Sequence, residues 1–339
     1  MKKSLLALAL MGAFSGAALA QSSVTVYGVV DMGVQRDDNG LSTNGTKYSL
    51  DSGNQSGSRL GFKGTEDLGN GLKANFVLEM GILADTGASD QKGLGFGRQA
   101  YVGLAGDFGA VNFGRQKSLT YVASESIDPF GVGLAGNMNR LFSTVTRVDN
   151  AAIYSTPNMS GFSAAALYSF GEQAGNNSAL SIGSLSGTYS AGPVFASIVY
   201  EKAKDAQSPA VTIANTGEKT LIGGSYDFGM AKAHAAYELL KGGQSGTTVA
   251  LTKKNVWMIG ATVPVGAGAI LADYTRITDT VTSNANATQF ALGYTYNLSK
   301  RTNLYTSYSQ TKNDTQSAYN AGGKGLTDKL FNAGIRHAF

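Results

Sequence analysis

Nucleophilic or general-base catalysis in this chain of 339 residues would have to start from two histidines, since there is no cysteine. His234 lies in "AKAHAAYELL", on one alternating face with Lys232 and Glu238. His337 lies close to the C-terminus. Hydrolysis needs a nucleophile and a base in mutual reach, and neither histidine sits in a recognisable catalytic pattern. No metal-ligand cluster, phosphate-binding loop or redox pair appears either. The expectation is no enzyme, no cofactor and no metal, with both histidines structural.

Charge offers a different chemistry, one of field rather than bonds. Residues 125–133 read "ESIDPFGVG". They place Glu125 and Asp128 in a stretch from Lys117 to Asn150 that shows no sustained periodicity. Insertions of about thirty structureless residues are uncommon and are usually functional or disordered. Gly131 and Gly133 permit a tight backbone, Pro129 stiffens the approach, and Phe130 offers a large apolar anchor. A solvated external loop is the plainer alternative.

The N-terminus sets the compartment. Met1, Lys2 and Lys3 give a positive start, an apolar run follows from Leu5 to Ala18, and Ala18-Leu19-Ala20 is a small-x-small cleavage pattern. A secretory signal peptide is expected over residues 1–20, with one mature domain over 21–339. A membrane-anchoring helix fits less well, because the run is short. Without Lys2 and Lys3 the chain has 25 basic and 23 acidic residues, so the balance gives no case for nucleic acid. Glycine is abundant at 45, proline scarce at 5, and 16 tyrosines join 15 phenylalanines. That composition suits tight hairpins with aromatic surfaces.

The elements carrying these residues read in steps of two. In "LKANFVLEMGIL", Leu72, Ala74, Phe76, Leu78, Met80 and Ile82 fall on one face, and Lys73, Asn75, Val77, Glu79 and Gly81 on the other. "VTVYGVVDMGV" and "TQFALGYTY" alternate likewise, as strands with one apolar face do. Short turns at 67–71, 106–110, 156–161, 190–193, 227–230, 264–268 and 297–301 alternate with long polar connections. Seven short turns and eight long connections, counting 117–150, join sixteen strands and put both termini on the short-turn side. A soluble sandwich would not alternate its connections so consistently. In lipid every backbone polar group must be paired, so a spanning sheet has to close on itself. Outer-membrane barrels combine short periplasmic turns, long external loops and an apolar outer face. An all-β, 16-stranded antiparallel transmembrane barrel is expected. The terminal "LFNAGIRHAF", ending on Phe339, resembles the pattern recognised by the barrel-insertion machinery.

"SVTVYGVVDMGV", "SRLGFKGTEDLGNGLKANF", "GRQAYVGLAGDFGAVNFGRQ" and the terminal "GIRHAF" resemble the trimeric general porins of Gram-negative bacteria, and most nearly their anion-selective subgroup. The resemblance covers the whole mature chain. It implies a homotrimer in outer-membrane lipid, passing small ions and hydrophilic solutes passively, with the third external loop folded into the lumen. Residues 117–150 join the fifth and sixth strands and so form that loop.

An inward loop needs a facing wall. In "SRLGFKG", Leu60 and Phe62 fit the lipid face, which turns Arg59 and Lys63 into the lumen. Arg98 is ambiguous. It faces the pore if Tyr101 faces lipid, and points outward if Val102 and Leu104 do. An arginine at the bilayer midplane costs about 2–4 kcal/mol, which favours the lumen. Arg147 begins the sixth strand. The resemblance implies that basic residues matching Arg59, Arg98 and Arg147 cluster at the constriction, opposite Glu125 and Asp128. Arg36, Arg115, Arg140 and Lys63 are secondary lumen candidates, with structural ion pairs as the alternative for each. A positive excess would enrich anions. The expected function is a passive porin with anion preference. A channel specific for an organic anion, a barrel hydrolase, and an adhesin or phage-receptor role for the external loops are the alternatives.

Overall fold

The computed structural model describes residues 23–204, 216–242 and 253–339. The expected signal peptide, the start of the mature chain at Gln21, and most of the connections at 205–215 and 243–252 lie outside the described residues.

The wall is a closed barrel of sixteen antiparallel strands in sequence order. The first is Ser23–Asp38, and the second comes in two segments, Thr46–Ser52 and Arg59–Gly69. The third to fifth are Leu72–Leu83, Gln99–Gly106 and Gly109–Lys117. The sixth to tenth are Arg147–Ser155, Phe162–Ser169, Ile182–Ala191, Val194–Lys204 and Thr216–Asp227. The eleventh to sixteenth are Lys232–Lys241, Lys253–Val265, Gly268–Asp279, Ala287–Asn297, Thr302–Asn313 and Thr327–Ala338. A two-residue strand, Ala88–Ser89, pairs among the described residues only with the end of the third strand, at Ile82 and Leu83, and adds nothing to the wall. The first strand closes the sheet on the sixteenth, with Asp31 opposite Arg336 and Met32 opposite Ile335. No edge is left among the described strands, as a spanning sheet requires.

Alternation sets the two faces. On the first strand Val24, Val26 and Val34 are more than half exposed, while Val29 and Asp31 are buried. On the fourteenth, Phe290 and Leu292 point out, while Gln289 and Ala291 are buried. Paired rings on the outer surface mark two levels. Tyr226–Phe228 and Phe162–Tyr189, both 4.6 Å between centroids, lie near the short turns, and Trp257–Tyr274 at 5.5 Å lies nearer the long loops. Interfacial girdles of this kind flank the apolar band of transmembrane barrels. The seven short turns fall where the sequence put them. At 69–72, Asn70 and Gly71 both take positive φ, 52° and 79°, as a two-residue hairpin turn demands.

The connection at 118–146 is not structureless. It opens with the helix Leu119–Ile127, capped by Ser118, whose Oγ accepts from Tyr121 N at 3.0 Å. Leu119, Ala123 and Ile127 recur every fourth residue, an apolar stripe of two turns that is too short to register as periodicity. That stripe packs into the main core with Val199, Leu221, Val256 and Met258. All four are wall residues on the face opposite the exposed apolar set.

Wall glycines receive the rest of the loop. A Cβ at Gly223 would meet Ile127 at 2.9 Å, one at Gly260 would meet Pro129 at 2.8 Å, and one at Gly293 would meet Phe130 at 2.8 Å. Phe130 is buried over Gly293, where the fourteenth strand has no side chain to obstruct it, and packs with Leu271, Ala291 and Tyr305.

Candidate pore constriction

Glu79, on the third strand, organises the basic wall. Its Oε1 accepts from Arg98 Nε at 2.8 Å, Arg59 Nε lies 3.8 Å from its Oε2, and Tyr27 donates its hydroxyl to Oε2 at 2.9 Å. The main-chain oxygen of Glu79 also accepts from Arg98 N at 3.1 Å. Arg147 joins the group by donating from Nε to Arg98 O at 2.7 Å. Arg59, Arg98 and Arg147 are therefore brought together.

The ambiguity over Arg98 has a local resolution. Val102 and Leu104 are the exposed residues of the fourth strand, so parity alone would turn residue 98 outward. The strand begins at Gln99, however, and Arg98 sits in a bend before it. Its side chain is free of the strand's alternation and turns to the buried carboxylate.

Across from this wall stands the solvent-side face of the helix. Lys117 Nζ lies 2.8 Å from both oxygens of Glu125. A cavity of about 490 Å³ runs between the two sides, lined by Arg59, Glu79, Arg98 and Lys117 against Tyr121 and Glu125. Four cationic groups (Arg59, Arg98, Arg147, Lys117) meet two carboxylates (Glu79, Glu125) here.

Asp128 is placed differently from the expectation of a pore-lining carboxylate. It is buried, and its carboxylate accepts from the backbone N–H of Phe130 at 3.0 Å, Val132 at 2.9 Å and Met138 at 3.0 Å. Burial pushes its pKa up to about 6 against the pull of those three donors. The carboxylate holds the tip of the loop, where Gly131, Val132 and Leu134 all have positive φ. A β-branched residue at φ 54° is a strained conformation, and Asp128 is what fixes it.

Three secondary candidates also take up structural positions. Arg36 shares the outward parity of Val34 and pairs with Asp38 at 3.1 Å. Arg115 sits at a register shift between Gly114 and Gln116, donates to Gly97 O at 2.7 Å and pairs with Asp149. Arg140 ties the loop to the far wall through Asp328 and through Gln289 Oε1 at 3.2 Å. Lys63 keeps the inward parity of Arg59, with its Nζ 5.3 Å from the Tyr27 ring centroid. Phe339 extends the sixteenth strand's pairing, exchanging backbone hydrogen bonds with Gly28 at 3.1 Å.

Glu79, Lys117, Tyr27 and Arg336 were not singled out from the sequence. Glu79 was legible in principle, since it lies on the polar face of "LKANFVLEMGIL". Arg336 carried a similar signal, being opposite Phe331 and Ile335 in parity, and it is an electrostatic neighbour of Arg59. His234 is a fastening of the loop: its Nδ1 donates to Ile127 O at 2.7 Å, and Thr262 Oγ1 lies 3.1 Å from Nε2. His337 lies 2.8 Å from Thr302 Oγ1.

A closed barrel with an apolar outer belt, and a cluster of opposed charges on its inner side, defines a transmembrane β-barrel of the channel-forming kind. The chain belongs to the Gram-negative porin family, whose model matches residues 7–316. It is 37% identical to outer membrane porin protein 32 of Delftia acidovorans, with all of both chains covered. Its fold matches the anion-selective porin from Comamonas acidovorans with a TM-score of 0.82 and 33% identity, over 94% of this chain and 100% of that one. An outer membrane protein of Vibrio cholerae in trimer form, 17% identical, shares the fold with a TM-score of 0.72 over 94% of this chain and 99% of that one.

Proposed function

We propose that the protein is a homotrimeric porin of the Gram-negative outer membrane, with periplasmic termini, that passes ions and small hydrophilic solutes without chemistry and prefers anions. The loop at 118–146 lies within the lumen and narrows it. The carrying observation is the junction of Arg59, Arg98 and Arg147 around Glu79, opposite a loop helix whose exposed carboxylate is already held by Lys117. Basic groups outnumber acidic ones where the passage is narrowest, and clustered charge sets ion selectivity in a pore. The anion-selective relative from Comamonas acidovorans supports the sign.

The field acts in a constricted aqueous space, between the limits of about 1 kcal/mol at 4 Å in bulk water and about 4 kcal/mol at an effective dielectric of 20. The test is a reversal potential in planar bilayers under a potassium chloride gradient. Chloride preference is expected, weakened by Arg59→Ser. A parent pore that selects potassium would overturn the reading.

A further inference from the structure

The second strand is interrupted between Ser52 and Arg59, and residues 53–58 leave the wall on its inner side. Its two ends stay tied to the wall, Gly53 N donating to Asp31 O at 2.9 Å and Ile82 N donating to Ser58 O at 2.9 Å, and its middle is held by inward contacts. Asp31 Oδ2 accepts from Gln55 N at 2.8 Å and Ser56 N at 2.6 Å, and Tyr305 donates its hydroxyl to Asp31 Oδ1 at 2.6 Å. Asn303 Nδ2 donates to Gln55 Oε1 at 2.7 Å. Asn54 O accepts from Leu134 N, in the loop tip, at 2.6 Å. The segment thus bridges the first strand, the fifteenth strand and the third long loop.

We propose that residues 53–58 form a fixed second jaw of the constriction, and that Asp31 and Tyr305 set its position and, through it, the anion preference of the pore. The proposal rests on the anion-channel reading above. Asp31 is fully buried on the first strand. A buried carboxylate is tolerable only when its oxygens are hydrogen-bonded, so the two N–H groups of the segment and the Tyr305 hydroxyl are held together by a common need.

Close contacts fix the jaw against both sides of the passage. A Cβ at Gly133 would sit 2.0 Å from Gln55 O, so the loop tip abuts the segment backbone. A Cβ at Gly57 would sit 2.6 Å from Arg98 Nη1. Gly57 O accepts from Arg59 Nη1 at 3.3 Å. The jaw therefore touches both guanidinium groups nearest Glu79 and the tip of the facing loop. Behind it, the Tyr305 hydroxyl fills the space over Gly33 and Gly334, where a Cβ would come within 2.5 Å and 2.4 Å of it. An ordinary β-bulge, which only re-aims a strand, would need none of these tertiary contacts.

Two charge-neutral variants separate position from charge. Gly57→Ala displaces the Arg98 guanidinium, and Tyr305→Phe removes one bond to Asp31. Both should lower the chloride-to-potassium permeability ratio by about twofold or more at low salt, and by less at 1 M, where the Debye length is about 3 Å. Heat-modifiable migration on gels checks that each variant is folded. An unchanged ratio in both, with Arg59→Ser shifted, would sink the jaw and leave the channel reading standing. If Arg59→Ser is itself without effect, the channel reading has failed, and a cross-link decides the jaw alone. Asn54→Cys with Leu134→Cys, in a chain otherwise free of cysteine, should oxidise fully and leave an open channel. No cross-link, or a cross-link that closes the pore, would show that the jaw does not hold the loop in the open state.

Discussion

Arg98 is bound twice by Glu79: the backbone N–H of Arg98 donates to the main-chain oxygen at 3.1 Å, and its Nε donates to the carboxylate at 2.8 Å. The double contact fixes both the start of the fourth strand and the direction of the guanidinium. It also means that one carboxylate offsets part of the charge of the wall it organises.

Glu79→Gln should therefore raise anion preference. The amide oxygen still accepts a hydrogen bond, so the arginines keep a partner while the negative charge goes. Reversal potentials below about 0.1 M salt, where the Debye length is about 10 Å or more, should move further toward chloride. A move toward potassium would show that Glu79 matters more for placing the arginines than for its charge.

Arg140 carries a stability prediction. Its partner Asp328 is buried, with 1% side-chain exposure. Arg140→Ala leaves that carboxylate unpaired, and breaking a buried pair from one side costs about 3–5 kcal/mol. The same change removes the tie to Gln289. The variant should melt earlier and show noisier single-channel currents, with selectivity nearly unchanged. A melting temperature equal to that of the parent would mean the pair is not structural.

Much of the fold was open to reading because the lipid imposes it. Period-two alternation, turn spacing and closure all follow from the need to pair every backbone group beside an apolar solvent, and Val24, Val26 and Val34 declare the outer face by type alone. The site was legible only in part. Arg59 follows its strand's parity, but Arg98 sits one residue before its strand, where parity has no force. Asp128 reads as a free loop charge because its three partners are backbone N–H groups, which no side-chain pattern announces. The inward segment at 53–58 is held by Asp31 and Tyr305, 274 positions apart in sequence, a contact made only when the barrel closes.

Asp128 predicts a pH dependence opposite to that of an ion-paired carboxylate. Its folded-state pKa of about 6 lies above the unfolded value of 3.8. The native loop thus binds the proton more tightly than the unfolded chain. The contribution to stability is fully present below about pH 4 and is lost as pH rises through about 6. The facing groups are Asp273, an electrostatic neighbour, and His234, bonded to Ile127 O. Melting of the parent, measured relative to Asp128→Asn between pH 4 and 7, should show a relative gain on acidification. A flat difference would place the carboxylate in a more solvated site.

The last prediction separates the two loop carboxylates. Glu125 faces the cavity and is held by Lys117, with side-chain exposures of 32% and 27%. A partly exposed pair of this kind contributes about 0–1 kcal/mol, so Glu125→Gln should fold normally. The substitution frees the charge of Lys117 toward the passage, and chloride preference should rise at low salt and fade toward 1 M. Asp128→Ala should leave selectivity close to the parent value, because its carboxylate points into the loop. It should instead release the strained tip at Val132, whose N–H loses its acceptor, and appear as faster closure under voltage. Single-channel recording reads both effects on the same trace, as reversal potential and as dwell time. If Asp128→Ala shifts the reversal potential as much as Glu125→Gln does, the carboxylate reaches the lumen and its three backbone donors do not hold it in the open pore.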